Sequence, residues 1–270
     1  MTQRQPIGIF DSGVGGLSVA KEIRQLLPLE DLIYYADSAY CPYGDKDPEI
    51  IRQRERSIVD FLLSKGAKLI VVACNTASST GLEELRKLFN VPIVGMEPGV
   101  KPAVAATRNG KIGVLATGVT IGGNRFASLV QRYAENTKVI TQPCPGLVEL
   151  IEHGKLEEPE TEEILQGFLQ PMLDQGADTV VLGCTHYPFL RPMIERLAGP
   201  GIAVIDTGAA VAKQVCKVLD ENNLAVQEGS PGTEQFFTSG NQEEVEKVIR
   251  SLWIRDHVQV KCCPLITDKE

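Results

Sequence analysis

The sequence lacks any long apolar run and any excess of positive charge. None of its 270 residues lie in a stretch that approaches the ~20 apolar residues of a membrane span. Residues 1–6 are polar and lack the apolar segment of a secretory signal, so we expect a cytoplasmic protein. The formal net charge is −8, which is not the electrostatic footprint of a nucleic-acid binder. We therefore expect neither a membrane nor a nucleic acid as partner.

Signals for disulfide bonds or a metal site are also scarce. The seven cysteines are odd in number and include no C-x-x-C pair, and the three histidines, at positions 153, 186 and 257, are scattered. Without an export signal, such cysteines are expected to be reduced thiols. A zinc site is poorly supported, and we expect no metal.

Short apolar runs alternate with amphipathic ones along the chain. This alternation predicts an α/β fold with mostly parallel sheets. The strand-like runs are 7–10, 32–35, 69–73, 93–95, 112–115, 179–182, 203–205, 235–238 and 258–261. The helix-like runs are 17–27, 49–65, 81–89, 124–134, 161–175, 190–197, 209–219 and 243–253.

The chain also resembles itself. Residues 7–14 (IGIFDSGV) align with 112–119 (IGVLATGV), and the segment from Gly66 to Thr76 aligns with that from Gly176 to His186. All α/β units share apolar strands and glycine turns, but two matches in the same order favour a duplication. We predict two similar domains related by pseudo-twofold symmetry, with the active site in the cleft between them. The first would comprise 1–98 plus 207–270 and the second 99–206.

Four polar clusters follow apolar runs in this pattern, at 11–13, 74–76, 117–120 and 184–186. In parallel α/β sheets, ligands bind at the carboxyl ends of strands. The free N–H groups of the helices that follow suit an anion such as a carboxylate.

Two cysteines, Cys74 and Cys184, occupy matched positions in these clusters. A following helix favours the thiolate, so a modest fall from the ordinary thiol pKa of ~8.5 would make each a usable base. A single buried cysteine is more often a small apolar residue, but a duplicated pair favours function. A racemase needs two bases on opposite faces of one carbon, and paired thiols across a cleft supply them. Asp11 and His186 are placed to assist, although a helix cap and a structural histidine are the alternatives.

Two loops carry weaker signals. The loop from Asp11 to Gly16 looks like a phosphate loop, but Ser18 breaks G-x-G-x-x-G and no Gly-Lys-Ser/Thr follows. The stretch Cys41-Pro42-Tyr43-Gly44 is typical of a turn and is a candidate lining of the cleft.

Taken together, these motifs resemble those of bacterial glutamate racemases. The similar stretches are FDSGVGGL from Phe10, CPYG from Cys41, ACNTA from Ala73, ATGVT from Ala116 and GCTHYP from Gly183. The resemblance implies an isomerase that interconverts L- and D-glutamate without pyridoxal phosphate or metal. It further implies D-glutamate supply to peptidoglycan synthesis and a homodimer.

The resemblance also implies roles for individual residues. Cys74 and Cys184 would be the acid/bases, assisted by Asp11 and His186. Glu152, just before His153, occupies a position where the family carries an acidic group near the second cysteine, and it would assist as well. The substrate would be bound by a set of mostly polar residues: Asp11, Ser12, Tyr43, Gly44, Asn75, Thr76, Thr117, Thr120 and Thr185. The segment 121–124, after Thr120, departs from the family pattern, which puts contacts from the start of that helix in doubt.

Two alternatives remain open at this stage. The first is a racemase of the same superfamily that acts on aspartate or another amino acid. The second is a carboxylate-binding protein without catalysis, although two matched thiols have no use in binding alone.

Overall fold

The computed structural model describes residues 4–253 and 258–265, so His257 lies outside the described residues. The described strands are β1 (Ile7–Asp11), β2 (Leu32–Ala36), β3 (Leu69–Val72), β4 (Ile93–Val94), β5 (Lys111–Ala116), β6 (Lys138–Pro143), β7 (Thr179–Leu182), β8 (Ala203–Ile205), β9 (Glu234–Thr238) and β10 (Val260–Cys262). The described α-helices are α1 (Leu17–Leu26), α2 (Pro48–Ser64), α3 (Asn75–Thr80), α4 (Leu82–Leu88), α5 (Val100–Ala106), α6 (Gly118–Gly122), α7 (Asn124–Tyr133), α8 (Leu147–Glu152), α9 (Pro159–Asp174), α10 (Arg191–Ala198), α11 (Gly208–Glu221) and α12 (Gln242–Leu252).

The strands form two sheets in which every neighbouring pair is parallel. The six-stranded sheet has the order β10-β9-β2-β1-β3-β4, and the four-stranded sheet has the order β6-β5-β7-β8. Strands β1, β3 and β7 are buried along their whole length because helices cover both faces of the sheets. The predicted α/β fold with parallel sheets is confirmed.

The two sheets repeat one pattern of strands. The order β2-β1-β3-β4 in the first corresponds to β6-β5-β7-β8 in the second. Strand β3 ends at Val72 and strand β7 at Leu182, so each candidate base follows its strand by two residues. The internal similarity of the sequence therefore corresponds to a repeated α/β unit, and Cys74 and Cys184 occupy equivalent positions in it.

After the second sheet, the chain returns to the first. Strand β9 pairs with β2, and β10 pairs with β9. Helix α11 packs against α1 on one face of the six-stranded sheet, where Val211, Val215 and Leu219 join a buried apolar cluster with Ile23. The larger sheet is thus built from both ends of the chain.

The sequence patterns missed several elements. Strand β6 is an edge strand with only Ile140 buried, so it lacks the apolar run of an internal strand. Helices α3, α5, α6 and α8 have five to seven residues, too short for a clear helical period. Within the described ranges, no helix combines the length and apolarity that crossing a bilayer requires.

Candidate active site

Cys74 lies at the junction of β3 and α3. It is the N-cap residue of α3, and its sulfur accepts a hydrogen bond from the Ala77 N–H at 3.5 Å. Its equivalent, Cys184, follows β7 and precedes a tight turn. Only 4% of Cys74 and 7% of Cys184 is exposed, so both thiols are shielded from solvent.

Asp11 and Ser12 lie beside Cys74 at the end of β1. The buried Asp11 carboxylate accepts the Gly16 N–H at 2.7 Å and the Ser12 hydroxyl at 3.3 Å. The Cys74 sulfur lies 3.9 Å from the Ser12 Oγ, and the Asp11 carboxylate is close enough to raise the pKa of the Cys74 thiol. Asp11 is not the N-cap of α1, which is Gly16, but it accepts the N–H of that residue and lies beside the first thiol.

The electrostatic setting of Cys74 differs from the sequence-based expectation. Burial raises the pKa of the Cys74 thiol well above its usual range, and the nearby Asp11 carboxylate adds to this effect. The Ala77 N–H opposes the shift without overcoming it. Burial therefore outweighs the predicted fall in thiol pKa at the helix start.

Cys184 is followed by a chain of titratable groups. Its Sγ lies 3.6 Å from the Nδ1 of His186, and the Nε2 of that ring lies 2.6 Å from the Oε1 of Glu152. Burial acts to lower the pKa of the His186 ring, but hydrogen bonds to Cys184, Cys41 and Glu152 raise it well above its ordinary value. His186 therefore lies between the second thiol and the Glu152 carboxylate, with one ring nitrogen facing each.

The glycines of the loop after β1 make room for the His186 and Glu152 side chains. A Cβ on Gly13 would lie 2.1 Å from the Glu152 Oε1, and one on Gly15 would lie 2.2 Å from the His186 Nδ1. The Val14 N–H between them donates to Glu152 at 2.6 Å. The loop that resembled a phosphate loop thus receives the side chains of the opposite domain.

Contacts across the cleft bring the two thiols into one site. The Thr185 hydroxyl donates to the Asp11 Oδ2 at 3.4 Å, and Cys184 lies close enough that a negative charge on it raises the pKa of the Cys74 thiol. The Ser18 hydroxyl donates to the Thr185 carbonyl at 2.8 Å.

Three threonine hydroxyls meet at another point of the same cleft. The Thr76 Oγ1 lies 2.9 Å from that of Thr117 and 3.3 Å from that of Thr120. Thr76 belongs to α3, whereas Thr117 caps α6 in the second unit through the Thr120 N–H. The three hydroxyls form hydrogen bonds with one another, and each could instead donate its hydrogen bond to a carboxylate of a ligand.

The side chain of Asn75 has unused hydrogen-bonding capacity. It is 3% exposed, yet neither its amide nitrogen nor its oxygen has a hydrogen-bond partner among the described residues. Buried polar groups are normally paired, so this amide is positioned for a ligand.

Tyr43 and Gly44 contribute differently from each other. The Tyr43 hydroxyl is buried and donates to the Asp37 Oδ2 at 2.6 Å. Because that hydroxyl is already paired, a substrate would contact the backbone of Tyr43. Gly44 packs against Thr117 across the cleft, where an added Cβ would come within 3.0 Å.

A buried ion pair that no sequence pattern indicated, Arg54 with Asp37, supports the loop that carries Tyr43. Arg54 binds both carboxylate oxygens of Asp37, at 3.0 and 2.7 Å, and Ser239 donates to the same group at 2.7 Å. Cys41, predicted as part of a turn that lines the cleft, has its Sγ 4.0 Å from the Ser12 Oγ and lies beside His186. The Arg54–Asp37 pair and the approach of Cys41 to His186 join distant segments, so no local pattern could have found them.

The architecture and sequence are similar to those of characterised proteins. A sequence model of the family described as Asp/Glu/Hydantoin racemase matches residues 9–215. The glutamate racemase of Stutzerimonas stutzeri (strain A1501) is 53% identical over 249 residues, which cover 92% of this chain and 94% of that protein.

Two solved structures are similar over nearly the whole chain. Glutamate racemase isoform RacE1 from Bacillus anthracis superposes with a TM-score of 0.88 at 31% identity, covering 98% of this chain and 100% of the other. Escherichia coli glutamate racemase, in complex with L-glutamate and the activator UDP-MurNAc-Ala, gives a TM-score of 0.86 at 34% identity, with 97% and 99% covered. Because the matched family and these relatives extend over most of its length, the chain is an isomerase that belongs to the Asp/Glu/Hydantoin racemase family and, within it, to the glutamate racemases.

Proposed function

We propose that the protein interconverts L- and D-glutamate by moving the α-proton between Cys74 and Cys184. The observation that carries this proposal is the equivalent placement of the two buried thiols, each two residues beyond an equivalent strand and both in one cleft. The L-glutamate bound by the Escherichia coli relative supports glutamate as the substrate.

The chemistry is a proton removal followed by a proton return. One cysteine, as thiolate, takes the proton from Cα, and the C–H electron pair stays on the substrate as a carbanion. The other cysteine, as thiol, donates its proton to the opposite face and becomes the thiolate. Each turnover therefore reverses the protonation of the pair, and the reverse reaction starts from the reversed state.

Assisting groups differ between the two sides. Asp11 lies beside Cys74 and acts on the pKa of its thiol, whereas His186 contacts Cys184 and is held in place by Glu152. We propose these three as assisting residues that exchange protons with, or orient, the neighbouring sulfur.

The substrate carboxylates and ammonium require polar partners inside the cleft. The Asn75 amide and the Thr76, Thr117 and Thr120 hydroxyls supply donors, and Ser12 and Thr185 lie beside the thiols. Donors held in place in this way would also stabilise negative charge on the substrate as the carbanion forms.

Further proposals concern the setting of the enzyme. We propose that it is cytoplasmic, supplies D-glutamate for peptidoglycan synthesis and forms a homodimer, with no nucleic-acid or membrane partner. The net charge of −8 supports the absence of a nucleic-acid partner. We also propose domain boundaries at 1–98 plus 207–270 and 99–206, which the membership of the two sheets supports.

The direct test is circular dichroism of L-glutamate and L-aspartate, incubated separately with the purified protein and no added cofactor. Loss of the glutamate signal is expected with the wild type and not with Cys74→Ser or Cys184→Ser. Cys216→Ser, which alters a thiol on helix α11 outside the cleft, serves as the matched control and is expected to retain the activity.

The other outcomes have distinct meanings. Turnover of aspartate alone would assign the protein to aspartate. Binding of glutamate with no loss of signal, and no uptake of solvent deuterium at Cα, would favour a carboxylate-binding protein without catalysis.

A further inference from the structure

We propose that Cys41, Glu152 and His186 form a binding site for a transition-metal ion of the Zn²⁺ class, and that its occupation slows the enzyme. The Cys41 sulfur, a Glu152 carboxylate oxygen and a His186 ring nitrogen all lie within 4.8 Å of one another. They belong to three separate segments, and two of the three residues lie in the unit opposite Cys41.

The three ligand types fit zinc. Thiolate, imidazole and carboxylate are its usual ligands, and three of them with one open position form a common coordination set. At normal bond lengths, such ligands are about 3.2 to 3.6 Å apart around a tetrahedral ion. A separation of at most 4.8 Å therefore requires only a small closure of the Cys41 loop, and the Glu152–His186 contact at 2.6 Å requires a slight opening.

Two of the ligands are already oriented by other groups. The Val14 N–H donates to the Glu152 Oε1 at 2.6 Å, and the Nδ1 of His186 faces the Cys184 sulfur at 3.6 Å, which leaves Nε2 towards Glu152. Such outer contacts fix the direction of ligating carboxylates and imidazoles in metal sites.

A route from solvent leads to this group. A cavity of about 710 Å³ is lined by Cys41 and Glu152, together with Ser38, Ser239 and Asn241. Cys41 is only partly buried, whereas Cys74 is buried. An ion therefore reaches the Cys41 sulfur before it reaches the catalytic thiols.

Metal binding would remove His186 from its present role. Its Nε2 would bond to the ion, and the ring could no longer adjust its position between Glu152 and Cys184. Binding of the ion itself does not rest on the proposed glutamate activity, whereas the slowing does. The two parts are measured separately below.

Binding is tested with Co²⁺ and Zn²⁺ alone on the full-length protein. A thiolate-to-cobalt charge-transfer band and intense visible bands of tetrahedral cobalt are expected in the wild type. Cys41→Ser should weaken Zn²⁺ binding, measured by competition with a chelator, by at least about tenfold. Cys144→Ser, which alters a buried thiol outside the group, should bind as the wild type does.

A measurement on the wild type covers the case in which the variant fails to fold. Zn²⁺ should slow alkylation of Cys41, read by peptide mass spectrometry, and leave the exposed Cys262 unaffected. Racemisation should slow with Zn²⁺ and recover with chelator, each protein being compared with its own metal-free rate. Absence of the cobalt band, an unchanged band in Cys41→Ser, or protection confined to Cys74 and Cys184 would overturn the proposal.

Discussion

The Glu152 carboxylate lies 2.6 Å from the Nε2 of His186 and 2.6 Å from the backbone nitrogen of Val14. One oxygen, Oε1, makes both contacts, so the ring beside Cys184 is positioned from the opposite side of the cleft. The second half of the site is therefore assembled only when the two units are together.

Glu152→Gln tests this arrangement. The glutamine amide keeps the shape of the Glu152 side chain but loses the negative charge that holds the His186 ring. We therefore expect kcat/KM to fall by at least about tenfold. This is less than the ~10²–10⁴-fold that a group acting as acid or base itself contributes. Initial rates followed by circular dichroism measure the effect. Glu149→Gln, on the same helix α8, should have little effect, and equal losses in both variants would show a helix defect instead.

Gly15→Ala tests the close approach of the loop after β1. The added Cβ would lie 2.2 Å from the His186 Nδ1, so the ring must move away from Cys184, and we expect most activity to be lost. Gly167→Ala is the matched control, because within the described part of the chain a Cβ at that position on helix α9 meets no atom within 4 Å beyond its own turn of helix. It should retain activity and gain about 0.5–1 kcal/mol of stability. Full activity of Gly15→Ala would contradict the assigned contact.

Thr76→Val tests the hydroxyl cluster as a carboxylate site. A hydrogen bond to a charged group is worth about 1.5–3 kcal/mol, so the substrate KM should rise by roughly ten- to a hundredfold. Thr141→Val, at an exposed position on strand β6, should leave KM unchanged. An unaltered KM in Thr76→Val would show that the cluster serves only to join α3 and α6.

Glu55 provides a test of stability against pH. It is fully buried beside Gly81, and neither carboxylate oxygen has a hydrogen-bond partner among the described residues. Burial raises the pKa of Glu55 well above its usual range, and Glu84 adds to the shift. The folded state thus holds a proton that the unfolded state releases above pH ~4.3, so the free energy of unfolding falls as pH rises from there to the folded-state pKa.

Glu55→Gln removes this dependence. The variant should have a higher Tm than the wild type at neutral pH, and the two should converge as the pH falls towards the pKa of an exposed glutamate. Thermal unfolding across the pH range measures the difference in Tm between the variant and the wild type. Asp60→Asn, at an exposed position on the same helix α2, is the control. A variant less stable at every pH would show that the carboxylate has a stabilising partner.

Much of the fold could be predicted from periodicity, because most strands are buried on both faces and most long helices are amphipathic. Strand β6 could not, since only Ile140 of its six residues is buried. The repeated α/β unit could be predicted because equivalent segments retained similar residues around Gly8 and Gly113, whereas the order of its strands became clear only from the structure.

The candidate site was predicted unevenly. The two thiols could be predicted from local sequence, because each follows an apolar strand in a repeated motif. Glu152 came only from the family resemblance, as its contact with His186 joins segments 34 residues apart. The meeting of Cys41 with His186 is a tertiary contact, so a search for closely spaced metal ligands could not find it.

The two sides of the site are chemically unlike, with Asp11 beside Cys74 and the His186–Glu152 pair beside Cys184. Enantiomers in water have the same free energy, so racemisation ends in equal amounts whatever the enzyme contains. Thermodynamics then requires kcat/KM to be the same for both enantiomers. The unlike neighbours of the two thiols can therefore raise kcat for one enantiomer above that for the other. Its KM must then be higher by the same factor.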